Sequence, residues 1–501
     1  MRRRLALPAF IAVAALTAAA CSGGGGDSII DAGEKPVVTT VASLPPGDTT
    51  PGPTTTASPL DSLPECPTAA LADATGPVNI TFWHGMNSDV LNGELTRITN
   101  AYNASQSKVK VKLVDQGGYE SVIEKYLQSG QSNRPDMAQM PEYMVQSIVD
   151  TDSAVPAANC IASSGYDTSQ FLPTALNAYA TEGVQWSMPF NISDPVLFYN
   201  KKMFAAAGLD PDVAPATLDE VRAFSQKIVD AGVAPFGLAL ESGFDSGGGW
   251  FLEQWFAQAG EFYADNDNGR SARATQVLYD NASGVSLLTQ LQSMINDGIA
   301  VNVGDNSGTG FDNLLKLADS TAPAAMTIAT SASLGSVIDI LKGGQFPSIN
   351  SDDVGVAPLP GPQGAKGALV GGASLWVVNS GDPARIAATW DYITYLVAAE
   401  QQSSWSAVTG YIAVRNDARD LDPLKSVLAA DPRFAVALDQ LLSLPKAPTS
   451  VGPVLGPLRE VRVVTAQGIA AIFAGADVQT TLTATKQQAD ALIADYNARN
   501  S

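Results

Sequence analysis

The stretch "PFNISDPVLFYNK", residues 189–201, has the apolar density of a buried strand, yet Pro195 sits in the middle of it. Proline has no N–H to give to a ladder, so within such a run it suits a strand edge or a crossover better than a central strand. On its N-terminal side, "VNITFWHGM" (78–86) alternates apolar and polar residues like a half-buried strand, and "NGELTRITNAYNAS" (92–105) repeats its apolar positions at helical spacing. A strand "KVKVKLVD" (108–115), a helix "YESVIEKYLQS" (119–129) and a strand with a turn in "RPDMAQMPEY" (134–143) follow. On its C-terminal side, "TLDEVRAFSQKIVDAG" opens with Thr217 and Glu220 as a capping box and closes on Gly232 as a C-cap. Strand "APFGLAL" (234–240), a helix from about Trp250, a helix around "GVSLLTQLQSMINDG", and strands "PAAMTIAT" (323–330) and "GGASLWVV" (371–378) continue the alternation. Such alternation predicts an α/β fold with parallel sheets wound by helices, and the last 120 or so residues read mostly as helix.

The N-terminus, "MRRRLALPAFIAVAALTAAAC", joins three arginines to an apolar run too short to span a membrane and reads as an export signal over residues 1–21. Its end resembles the lipobox of bacterial lipoproteins, which implies lipidation at Cys21 and anchoring on the outer face of the cell membrane. Residues 22–76 are rich in glycine, proline, serine and threonine and poor in aromatics, the composition of a flexible tether. The remaining 425 or so residues are enough for two domains. Without the three leader arginines the formal net charge of −21 becomes −24, and no Lys/Arg cluster appears, which argues against a nucleic-acid partner. With Cys21 set aside, Cys66 and Cys160 remain, and an even remainder in an oxidising compartment predicts a disulfide between them.

Catalytic and metal signatures are missing. His84 is the only histidine, no nucleophile elbow or Walker A lysine occurs, and neither remaining cysteine has a metal-ligand companion. A carboxylate pair for glycoside hydrolysis is always available among 50 acids, but sequence does not place two at about 5–9.5 Å. No enzyme activity, metal or cofactor is expected.

At "FWHGM", "GGYESVIEKY", "PFNISDPVLFYNKKMFAAAGLDPDVAPATLDEV", "GGASLWVV" and "TGYIAVR" the chain resembles the extracellular solute-binding proteins of carbohydrate ABC importers, most of all their glycerol-3-phosphate and glycerophosphodiester-binding branch. The motifs run in the same order from about residue 77 to 497. The resemblance implies a periplasmic-binding-protein type II fold: two α/β lobes on a hinge, closing on a small solute that is then delivered to a pair of membrane permease subunits. With Pro195 marking a crossover near 192–196, the expected lobes are 77–192 with 326–378 and 193–325 with 379–501. A monomer is expected. The rival readings are a secreted carbohydrate hydrolase and a surface adhesin without a small-molecule ligand.

Binding needs concave walls and a few fixed polar groups. In "DSGGGWFLEQWF" (245–256), Trp250 and Trp255 fall roughly 140° apart around a helix, so both cannot face one pocket. Trp250 follows the glycines and matches a ligand-stacking tryptophan of the family; Trp255 reads as core. The family has a further tryptophan where this chain has Gly247, a loss expected to widen the site. Tyr119, Glu142, Ser193 and Tyr411 match the family's polar contacts, with a weaker match at Asp194. In "TSASLGS", Thr330, Ser331 and Ser333 offer hydroxyls beside main-chain N–H groups, an arrangement equally suited to plain N-capping. Gly371 and Gly372 would let main chain approach a ligand. Trp83 and His84 end the first strand, where open sheets bind ligands; Trp83 reads as packing, and His84 as ligand contact or packing alike.

The family's phosphate-holding arginine corresponds to Val454 in "GPVLGP" (452–457), and an apolar side chain cannot pair with phosphate. Arg459 and Arg462, shortly after it, are either substitutes or solvated surface residues. The solute is thus a sugar, an oligosaccharide or a glycerophosphodiester.

Overall fold

The computed structural model describes residues 59–500 apart from 245–246 and 307–309. The leader, Cys21 and the N-terminal part of the tether lie outside the described residues. The segment from 59 to 76, expected to belong to the tether, packs instead. Leu60, Leu63 and Leu71 lie on the core, the short turn Thr68–Leu71 rests on the helix Pro383–Leu396, and the Asn159 side chain donates to the Pro64 carbonyl at 2.9 Å. Cys66 and Cys160 are bonded to each other, as their count predicted. The physical reason for the earlier tether end is local: a few leucines and one crosslink suffice to hold a segment whose average composition is that of a linker.

The strands, in chain order, are β1 (Val78–His84), β2 (Val109–Asp115), β3 (Met137–Pro141), β4 (Ala154–Val155), β5 (Ala180–Thr181), β6 (Val184–Gln185), β7 (Met188–Ser193), β8 (Pro195–Asn200), β9 (Phe236–Leu240), β10 (Ala300–Asn302), β11 (Ala324–Thr330), β12 (Val354–Pro358) and β13 (Gly371–Val378). The first sheet runs β2-β1-β3-β13-β4, with β7 also paired to β13; the second runs β10-β9-β11-β8-β12. β5 and β6 form a separate pair. Both sheets are mixed rather than wholly parallel. β13 is antiparallel to β3, β4 and β7, and β8 is antiparallel to β11 and β12, while β1–β2, β1–β3, β9–β10 and β9–β11 are parallel.

The run 188–200 that reads as one strand is therefore two strands of different sheets, divided at Asp194 with Pro195 opening the second. Every residue of both strands is buried, so hydrophobicity alone carries no mark of the boundary. The lobe limits differ from expectation on either side of β13. β11 and β12 pair with β8 and β9, which puts 324–358 in the second sheet, not the first. The helix Pro383–Leu396 packs on β1 and β13, so the first lobe continues beyond 378. Helices Arg433–Ser443, Leu458–Phe473 and Val478–Arg499 then return to the second lobe. A buried strand satisfies its pattern against any neighbour, so which sheet receives it is a tertiary matter.

Local signals were more direct. The helix Leu218–Asp230 has the complete capping box between Thr217 and Glu220, and Gly232 takes a φ of 67°. A left-handed residue just past a helix end is nearly free for glycine.

Candidate functional site

Between the two sheets lies a cavity of about 270 Å³, close to the small end of the roughly 300–1,000 Å³ range of ligand pockets. Strand ends supply much of its wall. Tyr119 follows β2, Glu142 and Tyr143 follow β3, Ser193 closes β7, Glu241 follows β9, and Thr330 ends β11. Side chains beyond the carboxyl ends of strands are not held by ladder neighbours, which leaves them free to face a ligand. Eight of the ten candidate residues line this one cavity: Tyr119, Glu142, Ser193, Trp250, Thr330, Ser333, Gly372 and Tyr411.

Ser331 and His84 do not line it. The Ser331 hydroxyl accepts from the Asp194 amide at 3.3 Å while its own amide donates to the Asp194 carbonyl at 2.9 Å, so it ties the crossover instead. His84 is fully buried against Phe82, its Nδ1 accepts from the Met86 amide at 3.3 Å, and burial holds its pKa below the ordinary value despite Asp115 nearby. Trp83 is core, with Lys125 over its ring at 4.5 Å. Glu241, Asp305, Asn306 and Asn313 also line the cavity and carried no motif in the sequence. Acids and amides in loops are too common to single out.

A buried polar chain supports one wall. The Gly85 amide donates to Gln139 Oε1 at 2.9 Å, Gln139 Nε2 to Asn191 Oδ1 at 2.7 Å, and Asn191 Nδ2 to the Tyr119 oxygen at 2.6 Å. Because Tyr119 accepts from behind, its proton points forward, toward Tyr411 Oη at 3.4 Å or a bound group. Burial pushes both phenols up, so both remain donors. Tyr411 is backed by Trp405, stacked at 5.8 Å, and Trp405 by Phe190 at 5.0 Å. Rings held this way lose little entropy when a ligand arrives.

Trp250 opens the helix Trp250–Ala259, and its indole lies against the start of β13. A Cβ on Gly371 would come within 2.3 Å of that indole, and one on Gly372, whose φ is 88°, within 2.1 Å of the Asn191 carbonyl. These glycines therefore accommodate the tryptophan and the neighbouring strand as much as any solute. Trp255 is core, as expected, and donates to the Pro360 carbonyl at 3.0 Å. Gly247 does not leave a gap. A Cβ there would meet the Glu241 carbonyl at 2.2 Å and its Cγ at 2.3 Å, so Glu241 fills the space in which widening was expected. A Cβ on Gly249 would press on the Arg462 side chain at 2.8 Å, which explains a glycine run where a loop packs onto the helix Leu458–Phe473.

Arg462 is neither solvated nor turned into the cavity. Its Nε and Nη2 donate to Glu253 at 2.6 and 2.8 Å, its Nη1 donates to Glu142 at 3.0 Å, and the guanidinium lies over Tyr143 at 5.0 Å. Burial raises the Glu142 pKa to about 7, with Arg462 opposing the rise and Glu253 adding to it. Arg459 is tied to Glu120, so neither arginine stands in for a phosphate contact. Val454 does not face this cavity either. Among the described lining residues there are three carboxylates, Glu142, Glu241 and Asp305, and no lysine, arginine or histidine.

Asp194, at the crossover, has no exposed surface, and neither carboxyl oxygen has a well-formed hydrogen bond among the described residues. The Gln440 amide beside it donates to the Pro195 carbonyl at 2.8 Å. Burial pushes the carboxyl well above the usual range. A carboxyl whose folded pKa is raised lends stability below its unfolded pKa and loses it as pH rises. Asp194→Asn, a neutral isostere, should therefore gain on the parent by about 1.4 kcal/mol per pH unit above about pH 4, up to the folded pKa. Denaturant midpoints at a series of pH values test this; parallel profiles would mean the buried carboxyl is not protonated.

Residues 97–436 match the family of bacterial extracellular solute-binding proteins. The sn-glycerol-3-phosphate-binding periplasmic protein UgpB of Escherichia coli O6:K15:H31 is 28% identical over 420 residues, covering 81% of this chain and 90% of that one. Its counterpart in Pectobacterium atrosepticum is 28% identical over 417 residues, covering 81% and 88%. Among solved structures, UgpB from Mycobacterium tuberculosis in complex with glycerophosphocholine shares the fold at a TM-score of 0.68 and 22% identity, over 84% of this chain and 99% of that one. The cyclic alpha-maltosyl-1,6-maltose binding protein from Arthrobacter globiformis does so at 0.66 and 23%, over 83% and 99%. With two mixed sheets, a crossover at Asp194 and a cavity between the sheets, the chain belongs to the bacterial extracellular solute-binding proteins.

Proposed function

We propose that this protein captures a polyhydroxylated solute without net negative charge and delivers it to the permease subunits of an ABC importer, while anchored through Cys21 to the outer face of the cell membrane. It acts as a monomer, makes and breaks no bond, and needs no cofactor. The observation that carries the reading is the lining: tyrosine and serine hydroxyls, amides, three carboxylates and one tryptophan, with no basic side chain among the described lining residues. Carboxylates and amides accept from sugar hydroxyls, whereas an anionic phosphate would meet like charge without a cation to offset it.

A glycerophosphodiester with a choline-like cation is the second reading. Trp250 and the carboxylates suit its ammonium, which an indole face favours by about 0.5–2 kcal/mol. Calorimetric titration with glycerol-3-phosphate, glycerophosphocholine and neutral mono- and disaccharides separates the two. We expect no heat of binding from glycerol-3-phosphate. Binding of it more tightly than any neutral sugar would overturn the charge argument. Whichever solute binds, Trp250→Ala should weaken it by about 2 kcal/mol, roughly thirtyfold, as a buried tryptophan anchor does. An unchanged affinity would place the solute elsewhere.

A further inference from the structure

A second cavity, of about 400 Å³, opens between the lobes on the far side of the Arg462 cluster. One wall carries Gln146 and Glu182 of the first lobe; the other carries Arg270, Ser271, Val454 and Asn497. Arg270 is the unusual group. Its Nε donates to the Gly452 carbonyl at 2.8 Å, and its Nη1 to the Asn177 and Ala180 carbonyls at 3.1 and 3.0 Å. Its charge has no carboxylate partner among the described residues, and its Nη2 has no hydrogen bond there. Arg273 beside it is different, because Asp150 takes both of its Nη groups at 2.9 and 2.6 Å. Asp150 is in turn held by Tyr496 at 2.9 Å and Gln146 at 3.0 Å, which leaves it nothing to offer Arg270. Glu182, exposed at the mouth, is the one carboxylate in the described lining.

We propose that this cavity is a second binding site, for a small oxyanion such as a phosphate or carboxylate group, held by the unbonded Nη2 group of Arg270 with the Ser271 hydroxyl at the rim. A guanidinium N–H makes a charge-assisted hydrogen bond to an oxyanion, and a partly desolvated charge without a counter-ion gains more from one than a solvated charge does. The cavity takes its walls from both lobes, and Arg270 itself grips carbonyls of both. An anion there favours the arrangement in which the walls face each other, and so acts on lobe closure from outside the solute cavity. The site does not depend on which solute the protein carries.

Thermal unfolding of the full chain, titrated with inorganic phosphate against chloride at constant ionic strength, tests it. The midpoint should rise saturably by a few degrees with phosphate. Arg270→Gln should abolish the rise. Should that variant fold poorly, Ser271→Asp, which adds a carboxylate at an exposed rim position, should abolish it without affecting folding. Trp250→Ala should leave it intact. No saturable effect in the parent, or an equal rise in Ser271→Asp, would overturn the proposal; loss of the rise in Trp250→Ala would place the phosphate in the solute cavity and overturn it as well.

Discussion

Replacing Arg462 with methionine should cost about 3–5 kcal/mol of folding stability, the usual effect of removing one partner from a buried ionic cluster. The side chain is fully buried, Glu253 has 2% of its side chain exposed, and Glu142 has 14%. One guanidinium therefore serves two carboxylates from two lobes. Without it, both acids are left desolvated beside each other. Methionine keeps most of the packing against Tyr143 and the Gly249 main chain, so the loss reports charge rather than volume. The pH dependence has a definite sign. Both carboxyls lie above their ordinary pKa already, through burial. In the variant they rise further, so the penalty should be small near pH 4, where both are protonated in either state, and should grow through neutrality. A second change, Glu253→Gln, should recover part of the loss. Chemical denaturation at pH 4 and pH 8 decides the matter. A pH-independent loss, or no recovery in the double variant, would mean that the cluster acts through shape alone.

Breaking the crosslink between Cys66 and Cys160 should cost a comparable amount. The two cysteines are 94 residues apart, and a closed loop of about 100 residues is worth about 4–5 kcal/mol on chain-entropy grounds, within a general range of about 2–5 kcal/mol for native disulfides of small domains. Cys66→Ser, Cys160→Ser and the double variant should all lose the same stability, since each removes one and the same constraint. The segment before β1 should also become the first site of proteolysis, because what then holds it is a few apolar contacts through Leu60, Leu63 and Leu71 and hydrogen bonds such as Asn159 to Pro64 and Thr68 to Ser163. Additive losses in the double variant would show that burial of the two sulfurs, rather than the bond, supplies the stability.

Much of the lining of the first cavity was legible in the sequence because its residues sit in motifs that resemble the family's: Tyr119 after a glycine pair, Ser193 before Asp-Pro, Gly372 in a glycine-led strand, Tyr411 after Thr-Gly. Helical phase showed that Trp250 and Trp255 could not share one pocket, since five residues turn a side chain by roughly 140°, and the glycines before Trp250 and its match to a family tryptophan chose between them. The departures were equally physical. Ser331 and Ser333 are two residues apart in a 3-10 turn, and only the turn's orientation decides that Ser333 meets the cavity while Ser331 binds the crossover. His84 ends a strand as expected, but the strand end is covered. Gly247 looked like an opened wall, and Glu241 had taken its place.

By itself the sequence determined the class of fold, the position of the crossover around Pro195, the capped helix after Thr217, the pairing of two cysteines and the set of motifs that place the chain among solute-binding proteins. Apart from the cysteine pairing, which follows from count and compartment, these are short-range properties, set by one residue's backbone or by the period of a dozen. Only the tertiary structure decided which sheet received β11 and β12, that Arg462 joins Glu142 to Glu253 instead of facing the first cavity, and that Arg270 has no carboxylate partner among the described residues. Each of those depends on which charges and strands meet from distant parts of the chain. A buried strand or an arginine looks the same in sequence whatever it meets, and the energy that distinguishes the outcomes lies in the pairing.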